Sequence, residues 1–303
     1  MVARLPDTPE AETPAAEAQP VKKSRRRRRP RLRVRRLPVS VLPTMLTLGN
    51  VLCGFAAVFF ASRSPVEAEL PFAWTPLTFA AGLIFLGMVF DALDGRVARL
   101  TNSTSELGEQ LDSMADMVTF GVAPAFIAVQ LVGAGVPYIS SDADGMFGRL
   151  TLVIGCVYVA CAALRLARYT VEARAKRAAD PTLFSGLPSP GAAGTVAALA
   201  LLHQHVFFGG SAIEADWLDN AAAVGMVAVL LLTALAMVSK LPYTHVMNRY
   251  IRDRAKVGTV AAYAIVGLLL MIAPQWSLAV GFTAYALSAP AGWVWRKVRP
   301  RRS

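Results

Sequence analysis

Asp91-Ala-Leu-Asp94-Gly95-Arg-Val-Ala98-Arg99, followed after eight residues by Gly108-Glu-Gln-Leu-Asp112-Ser-Met-Ala-Asp116, sets four carboxylates at the adjoining ends of two strongly apolar segments. An ionised side chain in hydrocarbon costs about 2.5–3.5 kcal/mol on insertion scales, so four of them need a compensating partner. A divalent cation, which prefers hard oxygen ligands, is such a partner. On a helix Asp91 and Asp94 share a face, and so do Asp112 and Asp116. A rise of about 1.5 Å per residue separates the second pair by roughly 6 Å along the axis. Gly108 continues that ladder one turn earlier, while Gly95 and Ala98 remove bulk where a ligand or a neighbouring backbone can come close. The link from Leu100 to Leu107 is short, which makes the two helices antiparallel neighbours with their acidic ends facing. Four carboxylates so placed can hold one or two Mg²⁺ or Mn²⁺ ions about 3.5–4 Å apart, bind phosphate oxygens and activate an attacking hydroxyl. Helix caps and salt bridges to Arg96 and Arg99 account for two such aspartates, but not for four within 26 residues.

The surrounding chain reads as a membrane protein. Of 303 residues 55% are hydrophobic, and the mean hydropathy is +0.46. Apolar runs near the length of a bilayer span predict eight helices, at about residues 43–61, 75–98, 110–136, 149–168, 188–208, 221–239, 257–273 and 277–295. The expected fold is therefore an all-α, polytopic helix bundle. Cys53, Cys156 and Cys161 all fall within these runs and read as small packing residues, not as a disulfide framework. No internal repeat is evident, and no cleavable signal peptide is expected, because the basic N-terminal segment leads into a full span.

Charge sets the topology. Residues 1–40 carry twelve Lys and Arg against four Asp and Glu, most of the chain's net +11. The positive-inside rule puts this segment, expected to be disordered, in the cytoplasm. Arg165, Arg168, Arg174, Lys176 and Arg177 then follow the fourth helix. Lys240, Arg249, Arg252, Arg254 and Lys256 follow the sixth, and residues 296–303 form a basic end. The opposite connections hold Glu67, Glu69, Asp142, Asp144, Glu214, Asp216 and Asp219, with Arg63 and Arg149 as their cations. Both termini and the aspartate cluster accordingly belong at the cytoplasmic face of the cell membrane. The run Arg25 to Arg29 reads as a topogenic flank attracted to anionic lipid, and no nucleic-acid partner is expected. A divalent-cation transporter would need polar groups continuing through the bilayer, and the second and third helices offer none beyond the aspartates.

The aspartate pattern resembles the signature of the CDP-alcohol phosphotransferase family, D-x2-D-G-x2-A-R-x8-G-x3-D-x3-D, with every specified position matched. The resemblance implies that Asp91, Asp94, Asp112 and Asp116 bind the divalent metal, with Asp116 also the general base. It implies that Gly95, Ala98, Arg99 and Gly108 lie around the cytidine diphosphate moiety. It further implies a homodimer built on a six-helix core, here a catalytic membrane domain of residues 41–240, with two additional helices in residues 241–295. Those last helices are left to pack at a dimer edge or to face lipid.

Members of the family differ in the acceptor alcohol, and three stretches are similar to phosphatidylserine synthases. One is Pro43-Thr-Met-Leu-Thr47-Leu-Gly-Asn50-Val-Leu-Cys-Gly54, in which Thr44 replaces the usual Asn and Asn50 joins the donor-binding set. The second flanks the aspartates; after the fourth stands Met117, where relatives that use glycerol phosphate or inositol phosphate tend to carry Asp-Lys or Asp-Arg. The third is Leu164-Arg165-Leu-Ala-Arg168-Tyr169 with Phe184-Ser-Gly186-Leu-Pro188-Ser-Pro190. The resemblance implies transfer of a phosphatidyl group from CDP-diacylglycerol to L-serine, with release of CMP. The alternative is the same donor chemistry with glycerol 3-phosphate or inositol phosphate as acceptor. Arg165 and Arg168, three residues apart on one face, either clamp a phosphate or carboxylate or anchor the helix end. The Gly186–Pro190 segment either lines a cavity or simply precedes the fifth helix. His203, His205 and His245 read as interface or packing residues.

Overall fold

The computed structural model describes residues 41–63, 74–101, 105–135, 145–176, 186–208, 216–239, 241, 243 and 257–298. The basic N-terminal segment, His245 with the basic connection around it, and Glu67, Glu69, Asp142, Asp144 and Glu214 lie outside these residues.

The described chain is helical: α1 (Val41–Ala61), α2 (Pro76–Leu100), α3 (Glu106–Asp116), a π-helical stretch (Met117–Val122), α4 (Ala123–Gly135), α5 (Met146–Lys176), α6 (Ser189–Phe208), α7 (Asp216–Val238), α8 (Val257–Ile272) and α9 (Pro274–Val298). Each of the eight expected runs is helical, the third being α3, the π stretch and α4 in succession. Among the described residues five stretches are long and apolar enough to cross a bilayer: Leu42–Ala61, Pro76–Leu100, Glu106–Gly133, Met146–Val171 and Asn220–Val238. The fold is an all-α polytopic membrane bundle.

Sequence sets the helix ends. Pro76 stands in the first turn of α2, where its missing N–H costs nothing, and the Thr75 hydroxyl accepts from the Thr78 N–H. Ser105 caps α3 in the same way, accepting from Gly108 N at 3.0 Å.

Small residues let the helices approach closely. Ala57, Ala81, Ala123, Ala193 and Ala197 are fully buried, and Phe120, Ile127 and Tyr158 fill the space between them. Residues 191–198 of α6 are buried without interruption, with α2, α4, α7 and α9 packed around the helix. This position explains its Gly, Thr, His and Gln content: a helix surrounded by protein need not be apolar on every face. The described side chains of α8 from Ile265 to Ile272 are exposed and apolar. By contrast, α9 lies along α6. The Phe282 ring fills the space beside Gly194, the Thr195 hydroxyl lies 3.2 Å from Phe282 O, and the Tyr243 hydroxyl donates to Ala286 O at 2.9 Å.

The π stretch begins immediately after Asp116. Wider i→i+5 turns disturb the backbone hydrogen-bond ladder, and in a membrane bundle the disturbed groups need protein partners. Tyr158 of α5 meets this need at Phe120 O, donating at 3.1 Å. The Thr119 hydroxyl, from within the π stretch, donates to Asn50 O at 2.8 Å and ties the stretch to α1. Tyr158→Phe is expected to lower the thermal midpoint of the purified protein, because Phe120 O loses a buried partner worth about 1–3 kcal/mol. An unchanged midpoint would show that the π stretch does not depend on this bond.

Candidate active site

The antiparallel approach of α2 and α3 brings one carboxylate oxygen each from Asp91, Asp112 and Asp116 to within 4.8 Å of one another. Asp94, one turn further along α2, is nearly fully buried. Its Oδ2 accepts from the Thr47 hydroxyl at 2.9 Å, with Pro43 O the alternative acceptor for that proton at 3.0 Å. Asp116 is held from α1 as well: Asn50, fully buried, donates from Nδ2 to Asp116 Oδ1 at 3.2 Å. Thus α1 braces both acidic helices through residues one turn apart, Thr47 and Asn50.

These acids share the properties of a hard-cation site. The donors are all carboxylate oxygens, and Asp112 Oδ1 is buried with no hydrogen-bond partner among the described residues. An anionic oxygen in that position is suited to a metal ligand bond. Arg99, a possible neutralising partner, instead turns its Nε to Gly95 O on its own helix, at 2.9 Å. The donor set therefore fits a divalent metal.

The three acids line a cavity of about 360 Å³. Arg165, Tyr169, Tyr243, Tyr285 and the segment Pro188–Pro190 line it with them. That segment reaches the cavity through Gly186, whose φ of +93° suits glycine. A Cβ there would lie 2.9 Å from Ser239 O. Gly186 N donates to Leu241 O at 2.9 Å and Leu187 N to Ala236 O at 3.0 Å, which ties the segment to the end of α7. Of the two alternatives, the irregular backbone lines a cavity, while Ser189 and Pro190 already form the first turn of α6.

The two arginines separate. Arg165 lines the cavity and also reaches Met237 O at 3.4 Å. Arg168 is exposed, reaches Val238 O at 3.4 Å and does not line the cavity. Both approach the last carbonyls of α7, which lack helical partners and favour cations.

Of the other expected residues, Gly95 and Ala98 are half-buried beside the acids and Arg99 is exposed. A Cβ at Gly95 would meet nothing within 4 Å, so the fold leaves open space there. Gly108 serves the cap of α3. Met117 lies back toward Gly121, its Sδ 3.2 Å from where a Cβ there would stand. His203 is buried, its Nδ1 3.4 Å from Gln204 Nε2, and its ring stacks 4.6 Å from Phe207. Thr47, Tyr169, Tyr243 and Tyr285 join the site without standing out as site residues in the sequence. Thr47 lies inside the quoted Pro43–Gly54 stretch and Tyr169 ends the quoted Leu164–Tyr169 stretch, but Tyr243 and Tyr285 look like interfacial aromatics.

The family model described as CDP-alcohol phosphatidyltransferase matches residues 40–231. Three similar proteins each carry the name CDP-diacylglycerol--serine O-phosphatidyltransferase. That of Helicobacter pylori is 33% identical over 171 residues, 56% of this chain and 62% of its own length. That of Mycobacterium tuberculosis is 28% identical over 258 residues, covering 84% of this chain and 79% of the relative. That of Bacillus subtilis is 34% identical over 152 residues, covering 50% and 71%. The chain thus spans less than two thirds of the Helicobacter relative. The match across residues 40–231 includes all four aspartates and the helices that carry them, and the chain belongs to the CDP-alcohol phosphatidyltransferase family.

Proposed function

We propose that the protein transfers the phosphatidyl group of CDP-diacylglycerol to L-serine, giving phosphatidylserine and CMP, at the cytoplasmic face of the cell membrane. The observation that carries this reading is the meeting of Asp91, Asp112 and Asp116 in a cavity that Arg165 also lines. An acidic wall suits metal-assisted phosphoryl chemistry, and a guanidinium suits the carboxylate of an amino-acid acceptor. The names of the relatives point the same way.

In this reading Asp91, Asp94, Asp112 and Asp116 hold the divalent metal, Mg²⁺ or Mn²⁺. When bound, the metal supplies charge neutralisation at the pyrophosphate oxygens and makes a nearby hydroxyl more acidic. Asp116, oriented by Asn50, takes the proton of the serine hydroxyl as that oxygen bonds to the lipid-linked phosphorus. The bond from this phosphorus to the CMP oxygen breaks, and CMP leaves. Gly95 and Ala98 leave room for the nucleotide, and Arg99 and Gly108 flank it. Thr47 keeps Asp94 in place. The donor's acyl chains stay in the bilayer while its head group enters the cavity.

The catalytic membrane domain is read as residues 41–240, between the basic cytoplasmic segment 1–40 and the helices of residues 241–295, with 296–303 also cytoplasmic. Charge asymmetry along the sequence supports this orientation. The resemblance to the family extends the reading to a homodimer.

Acceptors that carry phosphate need more positive charge than a single carboxylate does. Among the described residues lining the cavity, Arg165 is the cation, with Arg168 turned to Val238 O. Purified protein given CDP-diacylglycerol and Mn²⁺ or Mg²⁺ is therefore expected to release CMP with L-serine. Little release is expected with glycerol 3-phosphate or inositol phosphate. Faster turnover with either phosphorylated alcohol would overturn the assignment of serine.

A further inference from the structure

We propose that Tyr285, on the C-terminal helix α9, determines acceptor specificity by donating its phenol hydrogen bond to the acceptor's carboxylate beside Arg165. The inference rests on the reading of this cavity as the site of phosphatidyl transfer to serine. It adds to the site a helix that lies outside the family match at residues 40–231.

The placement of α9 carries the argument. Gly191 of α6 allows the Tyr285 ring to approach so closely that a Cβ at Gly191 would stand 2.8 Å from its Cε1. One turn earlier on α9, the ring of Phe282 fills the space beside Gly194 and also packs 5.6 Å from Phe85 of α2. Tyr243 then fixes the residue after Tyr285 through its bond to Ala286 O. Two aromatic rings and one hydrogen bond thus hold Tyr285 in register on the cavity wall. Its half-buried side chain faces protein on the α6 side.

The two cavity tyrosines have different work to do. Their rings lie 6.0 Å apart at 57°. The Tyr243 hydroxyl is committed to the backbone of α9, whereas that of Tyr285 makes no hydrogen bond among the described residues. Arg165, Tyr243 and Tyr285 line the cavity together. A guanidinium and a phenol O–H there together offer directed donors to a carboxylate, while the acids of the same cavity receive the hydroxyl end of the same small molecule. Serine carries those two groups at opposite ends. The geometry orients it with its hydroxyl toward Asp116.

The test compares full-length wild type and Tyr285→Phe in the same detergent–lipid micelles, with L-serine and with ethanolamine, which keeps the hydroxyl and the amine but has no carboxylate or carbonyl for the phenol to meet. A hydrogen bond to a charged group is worth about 1.5–3 kcal/mol, so KM for L-serine is expected to rise about tenfold or more. KM for CDP-diacylglycerol, the thermal midpoint and turnover with ethanolamine are expected to stay within twofold of wild type. An unchanged KM for L-serine overturns the role of Tyr285 and leaves the transferase reading standing. Equal losses with L-serine and ethanolamine, or a loss that tracks the thermal midpoint, overturn it by making Tyr285 a packing residue. Wild type that releases no CMP with L-serine overturns both readings.

Discussion

Asp116→Asn is expected to abolish CMP release from CDP-diacylglycerol and L-serine, lowering kcat by about 10³-fold or more, while the protein still inserts and purifies as wild type. General-base catalysis alone contributes about 10²–10⁴-fold. The substitution also removes one of the negative charges grouped within 4.8 Å, so metal binding weakens with it. The fold has little reason to object. Asn50 donates to Asp116 Oδ1 at 3.2 Å, and an asparagine side chain offers the same acceptor. Its new amide N–H₂ faces a cavity wall that also holds Asp91 and Asp112, both able to accept. Shape and hydrogen bonding survive, and only charge and basicity go. A variant with near-normal turnover would remove Asp116 as the base and return the assignment to Asp91 or Asp112.

The spacing of the aspartates makes most of the site legible in the sequence, because helical periodicity and a short link leave few ways to arrange them. Asp91, Asp112 and Asp116 do converge, and Arg165 lines the same cavity. What spacing does not contain is the support. Thr47 and Asn50 lie one turn apart on α1, yet nothing in an apolar run says that its polar residues meet acids more than 40 positions away. The π stretch is equally hidden. Met117–Val122 reads as ordinary helix, and the Tyr158 hydroxyl that reaches its Phe120 O comes from another helix. Hydropathy locates all eight helices, but α8 and α9 fall outside the five candidate spans among the described residues, and so does α6. Its neighbours, which the sequence does not display, make its Gly and Thr content reasonable. Arg168 shows the converse difficulty: its spacing with Arg165 suits a clamp equally well, and only the cavity, which Arg165 lines and Arg168 does not, separates them.

Gly54→Ala is expected to slow turnover by about 10²-fold, although Gly54 touches neither the acids nor the cavity. A Cβ there would lie 2.8 Å from Thr119 Cα and 2.9 Å from Thr119 N. Both are backbone atoms of the π stretch, so no side chain can swing away, and α1 must move instead. Overpacking of this kind costs about 1–3 kcal/mol of stability. The larger consequence is geometric. Asn50 sits one turn before Gly54 on the same helix, and a shift of α1 carries its Nδ2 away from Asp116 Oδ1 and its carbonyl away from the Thr119 hydroxyl. Misplacing a reacting group by about 1 Å can cost 10²-fold in rate. Because the base is displaced and not removed, the loss should fall mainly on kcat, with KM for L-serine changed less. Gly82→Ala is the control, since a Cβ at Gly82 meets nothing within 4 Å. If Gly54→Ala turned over as fast as Gly82→Ala, the contact between α1 and the π stretch would not be what sets the base, and Asp116 would have to be oriented from within α3 alone.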